Sequence, residues 1–139
     1  MHILMADDDK DDFQILKVAA EKTGESLKVS YAANWLELWR FTLKTLPDIL
    51  FLDINMPVKN GFECLQLLRD DRKYDRLPII IYSTSVSKTD IDRAYQTGAN
   101  YFMVKPGAVD DLINMIKKVC AMGKDALLSV PAREEFVII

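Results

Sequence analysis

Short apolar runs alternate with longer amphipathic stretches along the first 122 residues of the chain. Four runs are almost continuously apolar, which is typical of parallel strands covered on both faces. These runs are residues 3–6, 49–52, 79–82 and 101–104. Residues 27–31 instead alternate apolar with polar side chains, as expected for a strand at the edge of a sheet. The pattern therefore predicts five strands.

The stretches between the strands repeat apolar residues at spacings of three and four, which gives each predicted helix one apolar face. The first four faces are Phe13/Leu16/Ala20, Leu36/Trp39/Leu43/Leu46, Phe62/Leu65/Leu68 and Ile91/Ala94/Tyr95. The fifth and longest is Val109/Leu112/Ile113/Ile116/Val119/Cys120. We expect five helices that pack on the sheet, in a (βα)5 order typical of the α/β class.

The chain has 139 residues, of which 50% are hydrophobic, and this is enough for one ordinary domain core. We expect residues 1–122 to form that domain and residues 123–139 to form a C-terminal extension rather than a separate domain. The apolar end at residues 136–139 has three interpretations. It docks on its own domain, adds a strand to an exposed edge, or reaches a second molecule.

The net charge of −3 and the absence of a Lys/Arg run argue against direct binding of nucleic acid. The first apolar run is too short for a signal peptide or a membrane span, so we expect a cytoplasmic protein without membrane association. Cys64 and Cys120 lie in apolar helical patterns without a CxxC motif. We interpret both as reduced packing residues.

Polar and charged residues follow four of the predicted strands at the point where each strand ends. Asp7, Asp8 and Asp9 follow the first strand, and Asp53, Ser83 and Lys105 end the third, fourth and fifth. Right-handed crossovers place the carboxyl ends of parallel strands at one edge of the sheet. The chemistry of this protein is therefore expected at that edge.

Carboxylates that meet at such an edge repel one another by about 4 kcal/mol at a separation of ~4 Å and an effective dielectric constant of ~20. A divalent cation relieves this repulsion, and oxygen ligands without a nearby His or Cys favour Mg²⁺ over Zn²⁺. An ionised aspartate can then attack phosphorus while an ammonium group neutralises the transferring oxygens. Asp53, Asp8 and Lys105 fit these roles.

Each of these residues also has a purely structural interpretation. Residues 7–9 can start a helix, because acidic side chains favour the first helical turn. Asp53 can form a turn, Ser83 can bond nearby backbone, and Lys105 can be a solvated charge. Independent structural causes do not explain why all of them follow different strands at one edge, so we favour a functional site.

With these residues in place, the sequence resembles the response-regulator receiver family of two-component signalling over residues 1 to about 122. The resemblance is carried by Ala6-Asp7-Asp8-Asp9, by residues 52–61 (LDINMPVKNG), by Tyr82-Ser83-Thr84-Ser85 and by Val104-Lys105-Pro106. It implies a flavodoxin-like (βα)5 three-layer sandwich with a parallel five-stranded sheet of order 2-1-3-4-5.

The resemblance also implies a role for each residue of the acidic site. Asp53 is the expected phospho-acceptor, and Asp7 and Asp8 form the acidic pair. Together with Asp53 and the backbone carbonyl of Asn55, this pair is expected to bind Mg²⁺. Lys105 is expected to bind the phosphoryl group.

Two further residues would form the switch of such a domain. Ser83 is expected to swing inward and bond the phosphoryl group, and Phe102 to change its burial in response. Phe102 replaces the commoner Tyr and has no hydroxyl, so such a switch rests on packing; a purely structural strand residue is the alternative. Gly107 also replaces the usual bulky apolar residue after Lys-Pro.

The expected function is that of a free-standing response regulator. A sensor histidine kinase or phosphotransfer protein donates to Asp53, and the altered face built from the fourth helix, fifth strand and fifth helix engages a downstream protein target. Such a domain is a phospho-acceptor that catalyses its own phosphorylation and dephosphorylation, not an enzyme with a separate substrate. The apolar end and the expected signalling face also allow a homodimer.

Three alternatives remain at this stage. The first is a receiver-like interaction module that works without phosphorylation. The second is a phosphohydrolase of the haloacid-dehalogenase type, which needs an aspartate at the position of Asn55. The third is a flavin or dinucleotide carrier, whose phosphate would be repelled by residues 7–9.

Overall fold

The computed structural model describes residues 1–138 as one parallel sheet covered by helices. Its strands are β1 (His2–Ala6), β2 (Lys28–Ala32), β3 (Ile49–Leu52), β4 (Ile79–Ser83), β5 (Tyr101–Val104) and β6 (Val137–Ile138). Their spatial order is β2-β1-β3-β4-β5-β6. The predicted order 2-1-3-4-5 is confirmed, with β2 at an edge, and a short sixth strand follows β5.

Five helices connect the strands: α1 (Lys10–Lys22), α2 (Trp35–Lys44), α3 (Gly61–Asp70), α4 (Lys88–Thr97) and α5 (Val109–Leu128). Polar side chains cap the N-termini of α1 to α4. Each accepts hydrogen bonds from backbone N–H groups that have no partner within the helix. These side chains belong to Asp9, Asn34, Asn60 and Ser87. Gly98 ends α4 at a φ of +106°, which glycine adopts without strain.

The core consists of two apolar layers, one on each face of the sheet. One layer joins the sheet to α2, α3 and α4, and the other joins it to α1 and α5. The almost continuous apolar runs of β1, β3 and β4 are buried on both faces for this reason. The result is the predicted three-layer sandwich.

The predicted buried face of α2 is wrong. Leu36, Trp39, Leu43 and Leu46 are between 41% and 53% exposed. The side of α2 that faces the core instead carries Leu38 and Thr42. The Thr42 hydroxyl lies 2.8 Å from the Tyr74 hydroxyl and also donates to the Trp39 carbonyl, so a polar residue is tolerated in the core.

The C-terminal extension folds back on its own domain. Gly123, with a φ of +76°, interrupts α5 where we expected the extension to begin, and Leu127 beyond it is fully buried. β6 then pairs in parallel with β5. The structure combines two of the three interpretations of the apolar end, as far as Ile138: the end docks on its own domain and adds a strand beside β5. Ile139 lies outside the described residues.

Within residues 1–138, none of the helices combines the length and the hydropathy that crossing a membrane requires.

Candidate functional site at the carboxyl edge of the sheet

Four strands bring the predicted site residues to one edge. Asp7 and Asp8 follow β1, Asp53 follows β3, Ser83 ends β4 and Lys105 follows β5. Oxygen atoms of Asp7, Asp8 and Asp53 all lie within 4.8 Å of one another. Backbone pairing fixes this arrangement, since the N–H groups of Asp53 and Lys105 donate to the carbonyls of Ala6 and Ser83 at 2.9 and 2.8 Å.

The three consecutive aspartates after β1 have different surroundings. Asp9 caps α1, and its carboxylate accepts from the N–H groups of Asp11 and Asp12. Asp7 points inward and is fully buried, with Oδ1 accepting from the Asp9 N–H at 2.9 Å. Asp8 is exposed at the mouth of the site. The helix-start interpretation therefore describes Asp9, whereas Asp7 and Asp8 face Asp53.

Lys105 is surrounded by carboxylates. Its Nζ lies 2.7 Å from Asp7 Oδ2, 2.7 Å from Asp12 Oδ2 and 3.8 Å from Asp53 Oδ1. The ammonium group also lies 5.3 Å from the centre of the Tyr82 ring, within the range of a cation–π contact. Asp12 was not predicted as a site residue, although an acid in the first turn of α1, above the same edge, is a signal that could have identified it.

Burial and mutual repulsion perturb the protonation of this cluster. Burial raises the pKa of Asp53 to about 7; the Lys105 charge opposes this rise, and the neighbouring Asp7 adds to it. Burial also raises the pKa of Asp7, against hydrogen bonds from Lys105 and the Asp9 N–H. Burial alone would lower the pKa of Lys105, but its hydrogen bonds to Asp12 and Asp7 outweigh burial and raise it.

The loop after Asp53 is held close to the site by Gly61. A Cβ atom at Gly61 would collide with the Asp53 carbonyl oxygen and lie 2.8 Å from Ile54 Cα, so only glycine fits this approach. The Gly61 N–H donates to the Ile54 carbonyl at 2.8 Å. At the tip of this loop Val58 has a φ of +67° and a 99% exposed side chain. A β-branched residue in this conformation is strained.

The two predicted switch residues lie on neighbouring strands. Ser83 is fully buried, and its Oγ accepts from the Ser85 N–H at 3.1 Å. Phe102 is also fully buried in β5, three residues before Lys105. Its ring contacts Phe136 of the C-terminal extension, with 6.4 Å between ring centres. The sequence alone did not identify this partner of Phe102.

The donor set of the acidic cluster fits Mg²⁺. All three side chains offer carboxylate oxygens, which this hard cation prefers, and none of the three is a His or Cys. Their ligand oxygens lie within 4.8 Å of one another, close enough for side-chain adjustment to bring all three to one cation. A divalent cation would also offset the repulsion that raises the pKa of Asp53.

Comparison with known proteins agrees with this geometry. Residues 3–117 match the family model described as the response regulator receiver domain. A chemotaxis protein CheY homolog of Campylobacter jejuni is 30% identical over 124 residues, which cover 88% of this chain and 95% of that protein. Protein RcaC of Microchaete diplosiphon is 34% identical over 114 residues.

The match to RcaC covers 82% of this chain but only 17% of RcaC. The match to response regulator Rre1 of Synechocystis, at 31% identity, covers 86% of this chain and 51% of Rre1. The chain thus spans about half or less of the length of these two relatives.

Two solved structures have the same fold. The response regulator RPA3017, in red light signaling of R. palustris, matches with a TM-score of 0.82 at 26% identity, covering 94% of this chain and 98% of that one. The chemotaxis response regulator CheY4 of Vibrio cholerae matches with a TM-score of 0.74 at 27% identity, covering 85% and 97%. The chain therefore belongs to the response regulator receiver domain family of two-component signalling.

Proposed function

We propose that Asp53 accepts a phosphoryl group from the phosphohistidine of a sensor histidine kinase or a phosphotransfer protein, in a Mg²⁺-dependent reaction. One observation carries this proposal. A nearly buried carboxylate lies within 4.8 Å of two further carboxylates and 3.8 Å from a lysine ammonium group. The site thus combines a nucleophile, oxygen ligands for a cation and a positive charge for phosphoryl oxygens.

The transfer exchanges one phosphorus bond for another. An Asp53 carboxylate oxygen forms the new P–O bond as the P–N bond of the donor breaks, and the imidazole nitrogen keeps the electron pair and takes a proton from solvent. Lys105 neutralises the phosphoryl oxygens from its position beside Asp53. Ser83 accepts from the Ser85 N–H, so its own hydroxyl hydrogen can be donated to a phosphoryl oxygen.

Asp7, Asp8, Asp53 and the backbone carbonyl of Asn55 would hold the cation. When bound, Mg²⁺ supplies Lewis-acid neutralisation of the charge on the transferring group. The backbone helps to orient Asp53, since its carboxylate accepts a hydrogen bond from the Asn55 N–H. The phospho-acceptor promotes its own modification and its reversal, without a separate substrate to turn over.

The rim of the site fits a protein partner. Ile15 and Val18 are exposed one turn apart on α1, which begins at the site, and Val58 projects from the loop after Asp53. Neighbouring exposed apolar side chains are typical of surfaces that contact another protein. We assign this rim to the phosphoryl donor, and signalling to a downstream protein contacted by the phosphorylated domain, both in the cytoplasm.

The test is phosphorylation by a small donor. The protein is incubated with acetyl phosphate and Mg²⁺, and its intact mass is recorded against time. We expect one phosphoryl adduct, absent in Asp53→Asn and in excess EDTA but retained in Asp75→Asn, which removes a carboxylate far from the site. Failure of the folded protein to form an adduct with any small donor would contradict the proposal and favour a receiver-like module that works without phosphorylation.

A further inference from the structure

The outer edge of β5 is covered by the last residues of the chain, which we call the C-terminal segment (residues 129–138). Val137 and Ile138 pair in parallel with Phe102 and Met103. The Phe102 N–H donates to the Phe136 carbonyl at 3.0 Å. This strand, from which Lys105 emerges, is therefore bonded on one side to β4 and on the other to the C-terminal segment.

Phe136 is the main apolar anchor of the segment. Its side chain is fully buried, and its ring packs edge-to-face on Tyr95 of α4, with 5.0 Å between ring centres. The same ring covers Phe102. Because both rings are fully buried, the side of Phe102 that faces Phe136 is covered while the segment is in place.

Two polar contacts attach the segment to α4. The Tyr95 hydroxyl donates to the Pro131 carbonyl at 2.7 Å, in a partly buried position. Arg133 Nε donates to Asp92 Oδ1 at 2.8 Å, in a partly exposed ion pair that contributes little by itself. The segment thus bridges β5 and α4.

The charges at the site act on the same strand. Lys105 follows β5 directly, and its ammonium group is held by Asp7 and Asp12 while it lies farther from Asp53. A phosphoryl group on Asp53 would place almost two negative charges beside it and draw the ammonium group away from Asp12. The end of β5 would move with its lysine.

The two ladders that hold β5 differ in strength. Four residue pairs join β4 to β5, whereas two pairs join β5 to β6. β4 also lies in the middle of the sheet, whereas β6 is its terminal strand. A displacement of β5 is therefore expected to break the contacts with the segment before those with β4.

We propose that the C-terminal segment is an autoinhibitory strap: in place, it holds β5 in the geometry of the unphosphorylated site, and phosphorylation of Asp53 loosens it from β5 and α4. This inference rests on the proposed function. It adds that the face of Phe102 and Tyr95 covered by Phe136 becomes accessible only when the segment opens.

Hydrogen exchange in the full chain can detect this opening. The Phe102 N–H donates toward the segment, whereas the Asn100 N–H donates to the Ile79 carbonyl on the β4 side, at 2.8 Å. With Mg²⁺ and beryllium fluoride as a stable phosphoryl mimic, we expect the protection of the Phe102 amide to fall about tenfold. The protection of the Asn100 amide should change by less than about twofold. Unchanged or increased protection at Phe102 would overturn the proposal.

The coupling must also act in reverse, because linkage between two equilibria is reciprocal. Tyr95→Phe removes the hydrogen bond to the Pro131 carbonyl but keeps the ring against Phe136. We expect this variant to bind beryllium fluoride about fivefold more tightly, which corresponds to the loss of one hydrogen bond that holds the segment. Val130→Ala, at a 79% exposed position of the segment, is the matched control and should bind as the unmodified chain does.

The outcomes separate the two proposals. If neither an acetyl phosphate adduct nor beryllium fluoride binding is seen, the proposed function fails and the strap fails with it. If the adduct forms but the Phe102 amide and the affinity of Tyr95→Phe do not change, the receiver function stands and the strap alone is refuted.

Discussion

The acidic site and the C-terminal segment act on the same short strand, β5, but contribute to the molecule in opposite ways. The site concentrates buried like charges, and burial raises the pKa of both Asp7 and Asp53. The segment buries an aromatic ring and extends the sheet. The first arrangement costs folding free energy and enables chemistry, whereas the second stabilises the fold. Substitutions in the two regions should therefore have opposite effects on stability and on phosphorylation.

The largest stability change is expected for Phe136→Ala. The substitution removes a fully buried ring and should lower the free energy of unfolding by about 3–5 kcal/mol. Phosphorylation by acetyl phosphate should persist, because no site residue is changed, and beryllium fluoride should bind more tightly, because the segment that opposes the phosphorylated geometry is weakened. Denaturant unfolding measures the first effect and intact mass the second. A loss below 1 kcal/mol would show that the segment does not stabilise the domain.

Asp53→Asn should do the reverse: it abolishes phosphorylation and stabilises the metal-free protein. The folded-state pKa of Asp53, about 7, lies above its value of 3.8 in an unfolded chain, so the folded protein binds more protons between these values. The unmodified protein therefore loses stability relative to the variant as the pH rises through this window. The difference should be near zero below pH ~4 and reach up to about 4 kcal/mol above pH ~7.

Denaturant unfolding of both proteins in EDTA, across this pH range, measures the difference. A variant that is equally stable or less stable at pH 8 would contradict the assignment of electrostatic strain to the site.

Mg²⁺ should relieve the same strain. At a concentration about 100 times its dissociation constant, the cation should stabilise the unmodified protein by roughly 2.7 kcal/mol. Asp53→Asn removes one carboxylate ligand and should respond much less, whereas Phe136→Ala should respond as fully as the unmodified chain. Thermal unfolding with and without Mg²⁺ measures this. Equal stabilisation of all three proteins would place the cation elsewhere.

A smaller gain in stability is expected from a substitution at Val58, where the strain lies in the backbone and does not involve charge. Val58→Gly relieves a positive φ at a side chain that packs against nothing, and should stabilise the protein by about 1 kcal/mol. Ala at the same position keeps a Cβ atom and is the matched control, with little of the gain. If the Gly and Ala variants are equally stable, the backbone of this loop is not strained.

The smallest change is expected on the outer face of α2. Leu43→Lys places a charge where the side chain is 53% exposed, and should alter stability by no more than about 0.5 kcal/mol. Leu38→Ala, on the buried face of the same helix, should cost about 2–5 kcal/mol. If the Leu43 variant is the more damaged of the two, the predicted rather than the observed face of α2 packs on the sheet.

The strands and most helices could be predicted because each buried face repeats with one clear period. The α2 helix has two overlapping apolar faces, and the correct one includes Thr42, whose hydroxyl is matched by Tyr74 32 residues away. That partner cannot be identified from local sequence. Periodicity therefore favours the longer apolar stripe, which is the exposed one.

The convergence of Asp7, Asp8, Asp53 and Lys105 followed from strand direction alone, because parallel strands end at one edge. The contact of Lys105 with Asp12 depends on how α1 sits above that edge, which strand direction does not specify. The pairing of the C-terminal segment could not be predicted either, because a two-residue strand has no periodicity to detect. Its pairing depends on the exposed edge of β5, a property of the folded sheet.

The proposed function requires that Asp53, among three converging aspartates, is the nucleophile. The most direct test is to phosphorylate the protein with acetyl phosphate and Mg²⁺, digest it, and locate the phosphoryl group by fragmenting the peptides. We expect modification of the peptide that contains Asp53, with Asp7 and Asp8 unmodified. A phosphoryl group on Asp7 or Asp8, or one that survives unchanged in Asp53→Asn, would contradict it.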